Sequence, residues 1–295
     1  MTAQDLPIVD THQHLWDLDL LSLPWTRGNA LLERSFVTSD YLRAIEGLNV
    51  VKSVYMEVDV DPAQQELEAH HVLGLCAAPG NPMVGAVISG RPAGAGFRQY
   101  ILRFQGDPRI KGVRQVLHGA GTSAGFCLQP QFVENVRLLG ELGMCFDLCM
   151  RPDELRDGER LAALCPGTRF VVDHCGNLGV DEGETPRRRA WEDGLAALAQ
   201  LPNTVCKISG IIATAQPGWT VERVQRNFRF AMETFGPDRR MFAGDWPVCT
   251  RGASLARWVD TLKRIVADMG MSETDRRKLF HDNAVAFYGL TDKPA

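Results

Sequence analysis

The sequence predicts an α/β protein, a single (β/α)8 TIM barrel over residues 1–295, and three observations carry that expectation. Short apolar or β-branched runs recur eight times; longer segments with helical spacing separate them; and ionisable residues stand where several of the runs end. The runs are Ile8 to His14, Val50 to Val58, Met83 to Ser89, Ile110 to Leu117, Met144 to Met150, Arg169 to His174, Thr204 to Ser209 and Met241 to Asp245. Their spacing of roughly 25 to 40 residues is what a strand, a crossover helix and two loops require.

The connecting segments read as helices. Gln131 to Leu142 places Phe132, Val136 and Leu139 on one face, and Ala190 to Leu201 does the same with Trp191, Leu195 and Leu198. Ser272 followed by Asp275 marks a helix start; Leu279, Ala286 and Phe287 give that helix a packing face, and Gly289 stops it. No Pro/Ser-rich linker or low-complexity block divides the chain, so one domain is expected. An open doubly wound sheet binding a nucleotide would carry a Gly-rich turn after its first strand. Here that strand ends in His12-Gln13-His14, and a closed barrel explains why reactive residues gather at strand C-termini.

Composition narrows the function classes. Hydrophobic residues make up 45% and charged residues 23%, enough apolar material for one large core. The net charge of -4 and the lack of a Lys/Arg stripe argue against nucleic acid as a partner. No apolar run approaches the roughly 20 residues of a membrane span. The start, through Thr2, Gln4 and Asp5, lacks the basic and apolar regions of a signal peptide. Eight scattered cysteines show no zinc-ribbon or CxxC spacing and read as buried thiols, so a reducing cytoplasm is expected.

Chemistry concentrates at three strand ends. Alternation along Ile8 to His14 sends His12 and His14 to the same side, as half of a metal site or a proton-handling pair. Phe170-Val171-Val172-Asp173-His174 is an apolar strand closing on ionisable residues before a Gly turn, and Phe242-Ala243-Gly244-Asp245 closes on a carboxylate before Trp246-Pro247. Taken singly, each has an ordinary structural alternative: paired core histidines for the first, a helix cap for Asp245.

Their order is more specific. HxH on strand one, His on strand six and Asp on strand eight resemble the amidohydrolase superfamily across nearly the whole chain. Asp10-Thr11-His12-Gln13-His14-Leu15-Trp16-Asp17, Lys111-Gly112-Val113-Arg114, Asp173-His174-Cys175-Gly176, Lys207-Ile208-Ser209-Gly210 and Asp245-Trp246-Pro247-Val248 resemble the branch of sugar lactonases, L-fuconolactonase-like and 2-pyrone-4,6-dicarboxylate-lactonase-like. The chain departs from that pattern at Ala243-Gly244-Asp245, where Gly-Ser-Asp is usual, and at Glu57, where glutamine is usual.

The resemblance implies a hydrolase that opens a small-molecule lactone, with Asp245 as general base on water. His12, His14 and His174 would position water and carbonyl, and Arg114 would stabilise the oxyanion or else simply pair with a neighbouring carboxylate. Trp16 and Trp246, and with them His118 and Lys207, are expected at the substrate; Trp25 and Trp219 also neighbour strand ends. Strand five, Cys145 to Cys149, has no histidine and strand four no bridging lysine, so a binuclear site is not expected. Either no cofactor is required, or His12, His14, His174 and Asp245 hold one zinc-like divalent ion. Two alternatives remain: a metal-dependent decarboxylase of a small aromatic acid on the same barrel, and a non-catalytic binding barrel.

Overall fold

The computed structural model describes residues 6–119 and 121–291; the N-terminal Thr2, Gln4 and Asp5 lie outside the described residues. Eight strands form one parallel sheet in chain order: β1 (Ile8–Gln13), β2 (Val50–Met56), β3 (Met83–Ser89), β4 (Ile110–Val116), β5 (Cys145–Cys149), β6 (Arg169–Val172), β7 (Thr204–Ile208) and β8 (Arg240–Phe242). The ring closes between β8 and β1. Thr11 Oγ1 donates to the Phe242 carbonyl at 2.7 Å, and a parallel bridge joins Gln13 to Trp246.

Ten α-helices are found among the described residues: α1 (Thr38–Ala44), α2 (Gln65–Ala77), α3 (Phe97–Leu102), α4 (Pro130–Glu141), α5 (Leu155–Leu164), α6 (Pro186–Ala199), α7 (Val221–Phe235), α8 (Leu255–Asp268), α9 (Glu273–Arg277) and α10 (Asn283–Tyr288). The expected faces of α4 and α6 are buried throughout, because residues spaced three and four apart share one side of a helix. Ser272 caps α9 by accepting from the Asp275 amide. The expected continuous last helix is interrupted by a π turn over Lys278–Asp282. That turn shifts the helical phase, so Ala284 and Tyr288 are buried while the expected Ala286 is exposed and Phe287 only half-buried. All eight cysteines are buried and free.

Inside the barrel the side chains form two tiers. Val9, Val54, Met56, Val87, Cys145, Val171 and Met241 make an apolar lower tier that packs against Ala284 and Tyr288. Lys111 at the start of β4 and Arg169 at the start of β6 both reach carbonyls of the Phe287–Gly289 segment, which places α10 under the N-terminal end of the barrel. Above the apolar tier sit His12, Glu57, Arg114, Asp147, Asp173 and Lys207, all buried. Val9 and His12 both face inward although they are three residues apart. A register shift between Asp10 and Gln13 absorbs the odd residue and re-aims the HxH pair.

Two expected strand ends lie beyond regular strand. β6 stops at Val172 and β8 at Phe242, so His174 (φ 53°) and Asp245 (φ 55°) occupy left-handed turns. Such conformations cost on the order of 1–3 kcal/mol each and persist where surrounding structure holds them. Alternation along a strand cannot foresee them.

Candidate active site

The junction of the first and last strands is organised by Asp10. Its Oδ1 accepts from the amides of Gly244 (2.7 Å) and His12 (3.1 Å), and its Oδ2 accepts from the Tyr41 hydroxyl (2.8 Å). Burial pushes this carboxyl up to about 6 despite those donors. A Cβ at position 244 would lie 2.5 Å from Asp10 Oδ2, so glycine here lets the carboxylate sit against the backbone. The next residue follows directly: the Asp245 amide donates to the His12 carbonyl at 2.7 Å, and the His14 amide to the Trp246 carbonyl at 2.8 Å.

These bonds bring together groups far apart in the chain. Asp245 Oδ1 lies 3.4 Å from His14 Nε2, 3.7 Å from His12 Nε2 and 3.9 Å from His174 Nε2. The Met56 carbonyl, 3.0 Å from His14 Nδ1, can only accept, so His14 Nδ1 donates there and Nε2 is the ring nitrogen that faces Asp245. His12 Nδ1 is 3.4 Å from Asp173 Oδ1, and His174 Nδ1 is 3.0 Å from Ser209 Oγ. Burial lowers the affinity of His12 and His174 for a second proton, so both rings are neutral.

His174 is seated against Gly210 (φ 68°), where an added Cβ would lie 2.1 Å from His174 Nδ1. Gly210→Ala is therefore expected to push the ring off Ser209 and lower kcat/KM on the order of 10²-fold, the usual cost of misplacing a reacting group by about 1 Å. Parallel kinetics and thermal melts check it; an alanine variant with unchanged kcat/KM would show that the His174 position is not critical.

Beneath this cluster runs a buried chain of charges. Arg114 donates through Nε to Glu57 Oε1 (2.6 Å) and through Nη2 to the Glu57 carbonyl (2.7 Å), while its Nη1 lies 3.3 Å from His12 Nε2 and 3.5 Å from Asp173 Oδ2. Arg114 is thus paired with a carboxylate, the structural alternative expected for it, and the same side chain also reaches His12. Glu57, where the resemblance expects glutamine, supplies the charge that balances it. Lys207 Nζ lies 2.5 Å from Asp147 Oδ2 and 3.3 Å from Asp173 Oδ1. Burial opposes the lysine's charge, but the two carboxylates outweigh it and raise its pKa. Lys207 and His12 in turn hold Asp173 well below the usual carboxylate range, against burial.

A cleft of about 590 Å³ opens above Asp245, lined by His14, His174, Arg114 and His118 among others. Burial in the cleft wall, then the neighbouring Arg114, pushes the His118 imidazole down to about 4. The other three expected substrate contacts lie elsewhere. Lys207 is fully buried in the ion chain, where Asp147 and Asp173 occupy its ammonium. Trp16 is buried between Trp25 and Phe36, with its indole N–H on the Arg34 carbonyl, and Trp246 is buried against Phe36 and Tyr41. Each flanks a reactive residue, but neighbours along a chain point in different directions. The tryptophan that lines the cleft is Trp25, 41% exposed, its indole N–H engaged by the Val58 carbonyl at 2.7 Å. Asn177, Arg187 and Arg251 also line the cleft; Asn177 and Arg251 follow closely on the motifs of His174 and Asp245, a signal that could have pointed to them, whereas Arg187 stands in no such motif.

A family model described as amidohydrolase matches residues 9–290. The chain belongs to the amidohydrolase family. An uncharacterised protein of Sinorhizobium fredii is 27% identical to this amidohydrolase over 96% of this chain and 99% of its own. An L-fucono-1,5-lactonase of Burkholderia multivorans is 25% identical over 96% of each chain. In fold, the amidohydrolase resembles a crystal structure of a Burkholderia multivorans amidohydrolase with bound zinc, at TM-score 0.85 and 23% identity, covering 97% of this chain and 100% of that one.

The donor spacing in this amidohydrolase is compatible with a divalent ion. Zinc bonds of about 2.0–2.1 Å in a tetrahedron separate the ligand atoms by roughly 3.4 Å. His12 Nε2 and His14 Nε2 are 3.2 Å apart, and Asp245 Oδ1 is 3.4 and 3.7 Å from them. These three form one compact donor set, whereas His174, expected beside them, groups with His12 and Asp173. The guanidinium 3.3 Å from His12 Nε2 works against a second cation there. Among the described residues no helix is long and apolar enough to cross a membrane.

Proposed function

We propose that this amidohydrolase opens a sugar lactone, or a related small ring ester, to the free hydroxy acid by water addition. The observation that carries the reading is Asp245 Oδ1 within 3.9 Å of three imidazole Nε2 atoms, at the wall of a cleft of about 590 Å³ that has room for a small molecule. The L-fucono-1,5-lactonase relative supports a lactone as the substrate class.

In this reading Asp245 takes a proton from water as the water oxygen attacks the ring carbonyl, a role worth about 10²- to 10⁴-fold. His14 and His174 orient the water, their ring directions held by the Met56 carbonyl and by Ser209. Arg114 Nη1 faces the developing oxyanion, a contribution of about 10²- to 10³-fold per donor. When the ring C–O bond breaks, the leaving alkoxide recovers the proton held by Asp245, so the base is regenerated and one water is consumed. The exposed face of Trp25 offers an apolar platform to the sugar C–H surface. A divalent ion on His12, His14 and Asp245 would polarise the carbonyl and acidify water.

Acid release from a panel of aldonolactones, followed by a pH indicator before and after exhaustive chelation, tests the reading. Saturable turnover supports it, and survival of turnover after chelation assigns electrophilic help to Arg114. No turnover across the panel, with carbon dioxide released from an aromatic acid instead, would replace it by the decarboxylase alternative.

A further inference from the structure

We infer that the substrate carries a carboxylate remote from the reacting carbonyl, and that Arg251 receives it. This rests on the lactone-hydrolase reading and adds the substrate's charge. The cleft is lined by four arginines, Arg114, Arg151, Arg187 and Arg251, against two carboxylates, Asp59 and Asp245, in a chain whose net charge is -4. Three of these arginines are paired with carboxylates just behind the wall, so the cation left without a partner is Arg251, and it favours an anionic ligand at the rim.

The arginines differ in what remains free. Arg114 is committed to Glu57 and Arg151 to Glu154 and the carbonyls of Leu117, Gly119 and Thr122. Arg187 stands 3.5 Å from Asp153, and Asp59, the one other wall carboxylate, is engaged by Arg91 at 3.0 Å. Arg251 has no acceptor among the described residues, and its side chain is exposed.

Its backbone is nonetheless held firmly. The Cys249 amide donates to the Asp245 carbonyl at 2.7 Å and the Gly252 amide to the Cys249 carbonyl at 3.0 Å, so Arg251 belongs to the same turn as the catalytic base. Gly252 packs on the Ile212 carbonyl so closely that a Cβ would lie 1.9 Å from that oxygen. The two rim turns after β7 and β8 are thus locked together, and a free guanidinium projects from the locked pair. Its planar fork matches a carboxylate in two parallel hydrogen bonds. One uncommitted guanidinium balances a single negative charge, and so fits a carboxylate better than a phosphate ester carrying about two.

The test compares three lactones of the same ring: a neutral aldonolactone, the lactone of the corresponding aldaric acid, and a phosphosugar lactone. Wild-type protein is expected to favour the aldaric lactone at least about tenfold in kcat/KM, mainly through KM. Arg251→Ala should lower the aldaric-to-neutral ratio by about 10- to 100-fold, the usual range for a charge-assisted hydrogen bond. Calorimetric binding of the open-chain aldarate dianion, which needs no turnover, should weaken by a similar factor. Equal use of neutral and aldaric lactones, preference for the phosphosugar, or aldarate binding indifferent to Arg251→Ala would each overturn the inference. Failure to hydrolyse any of the three, with aldarate binding still dependent on Arg251, would overturn the lactonase reading and leave the anion site standing.

Discussion

Asp245→Asn is expected to lower kcat by about 10²- to 10⁴-fold, the contribution of a positioned general base, while KM changes by less than a few-fold. The substitution is nearly isosteric, and asparagine tolerates the left-handed backbone at φ 55° better than any residue but glycine. The amide that donates to the His12 carbonyl and the turn that accepts from Cys249 are backbone groups and survive the change. Folding should therefore be preserved, and the loss should fall on the proton transfer. Steady-state kinetics on the best lactone, with a thermal melt as control, decide it. A variant within tenfold of wild-type kcat would remove Asp245 as the base and shift attention to His174 or to a bound hydroxide.

The largest stability effect is expected at Lys207. Its ammonium is fully buried and lies 2.5 Å from Asp147 and 3.3 Å from Asp173. Lys207→Met keeps the approximate volume but strands two carboxylates in the barrel interior, where removing one partner of a buried pair costs about 3–5 kcal/mol. For a chain of this size that corresponds to a Tm lower by about 5–8 °C. Adding Asp147→Asn to that variant neutralises one stranded charge and should recover a substantial part of the loss. A single variant within about 1 kcal/mol of wild type in denaturant unfolding would mean that the carboxylates simply take up protons at negligible cost.

This ion chain also connects stability to the reaction. Lys207 keeps Asp173 ionised, Asp173 faces His12 Nδ1, and Arg114 spans from Glu57 to His12. The ring that faces Asp245 is therefore oriented by groups supplied from β4, β6 and β7. Supporting partners of this kind commonly matter nearly as much as the residues they orient.

The barrel was legible because hydrophobic periodicity is local: eight apolar runs, each followed by a helical stripe such as Phe132, Val136 and Leu139, need no knowledge of distant residues. His12, His14, His174 and Asp245 were legible for a related reason, since each interrupts an apolar run where a strand runs out, and their order resembles one superfamily. Three residues resisted. Lys207 follows the pattern of a strand end, yet its ammonium is spent on Asp147, sixty positions earlier. Trp16 and Trp246 adjoin reactive residues but pack outward, and only the fold of the Leu18–Phe36 loop brings Trp25 to the cleft instead.

By itself, then, the sequence determined the eightfold strand and helix alternation, the family resemblance and the four candidate residues that converge beside the cleft, because each is written in the order and spacing of motifs along the chain. Tertiary structure alone decided which charges neutralise one another, which tryptophan meets the cleft and which arginine is left unpaired. The physical reason is that ion pairing and burial depend on distances between side chains from different strands. A left-handed turn at His174 or Asp245, or a register shift after Asp10, redirects those side chains without leaving a periodic trace.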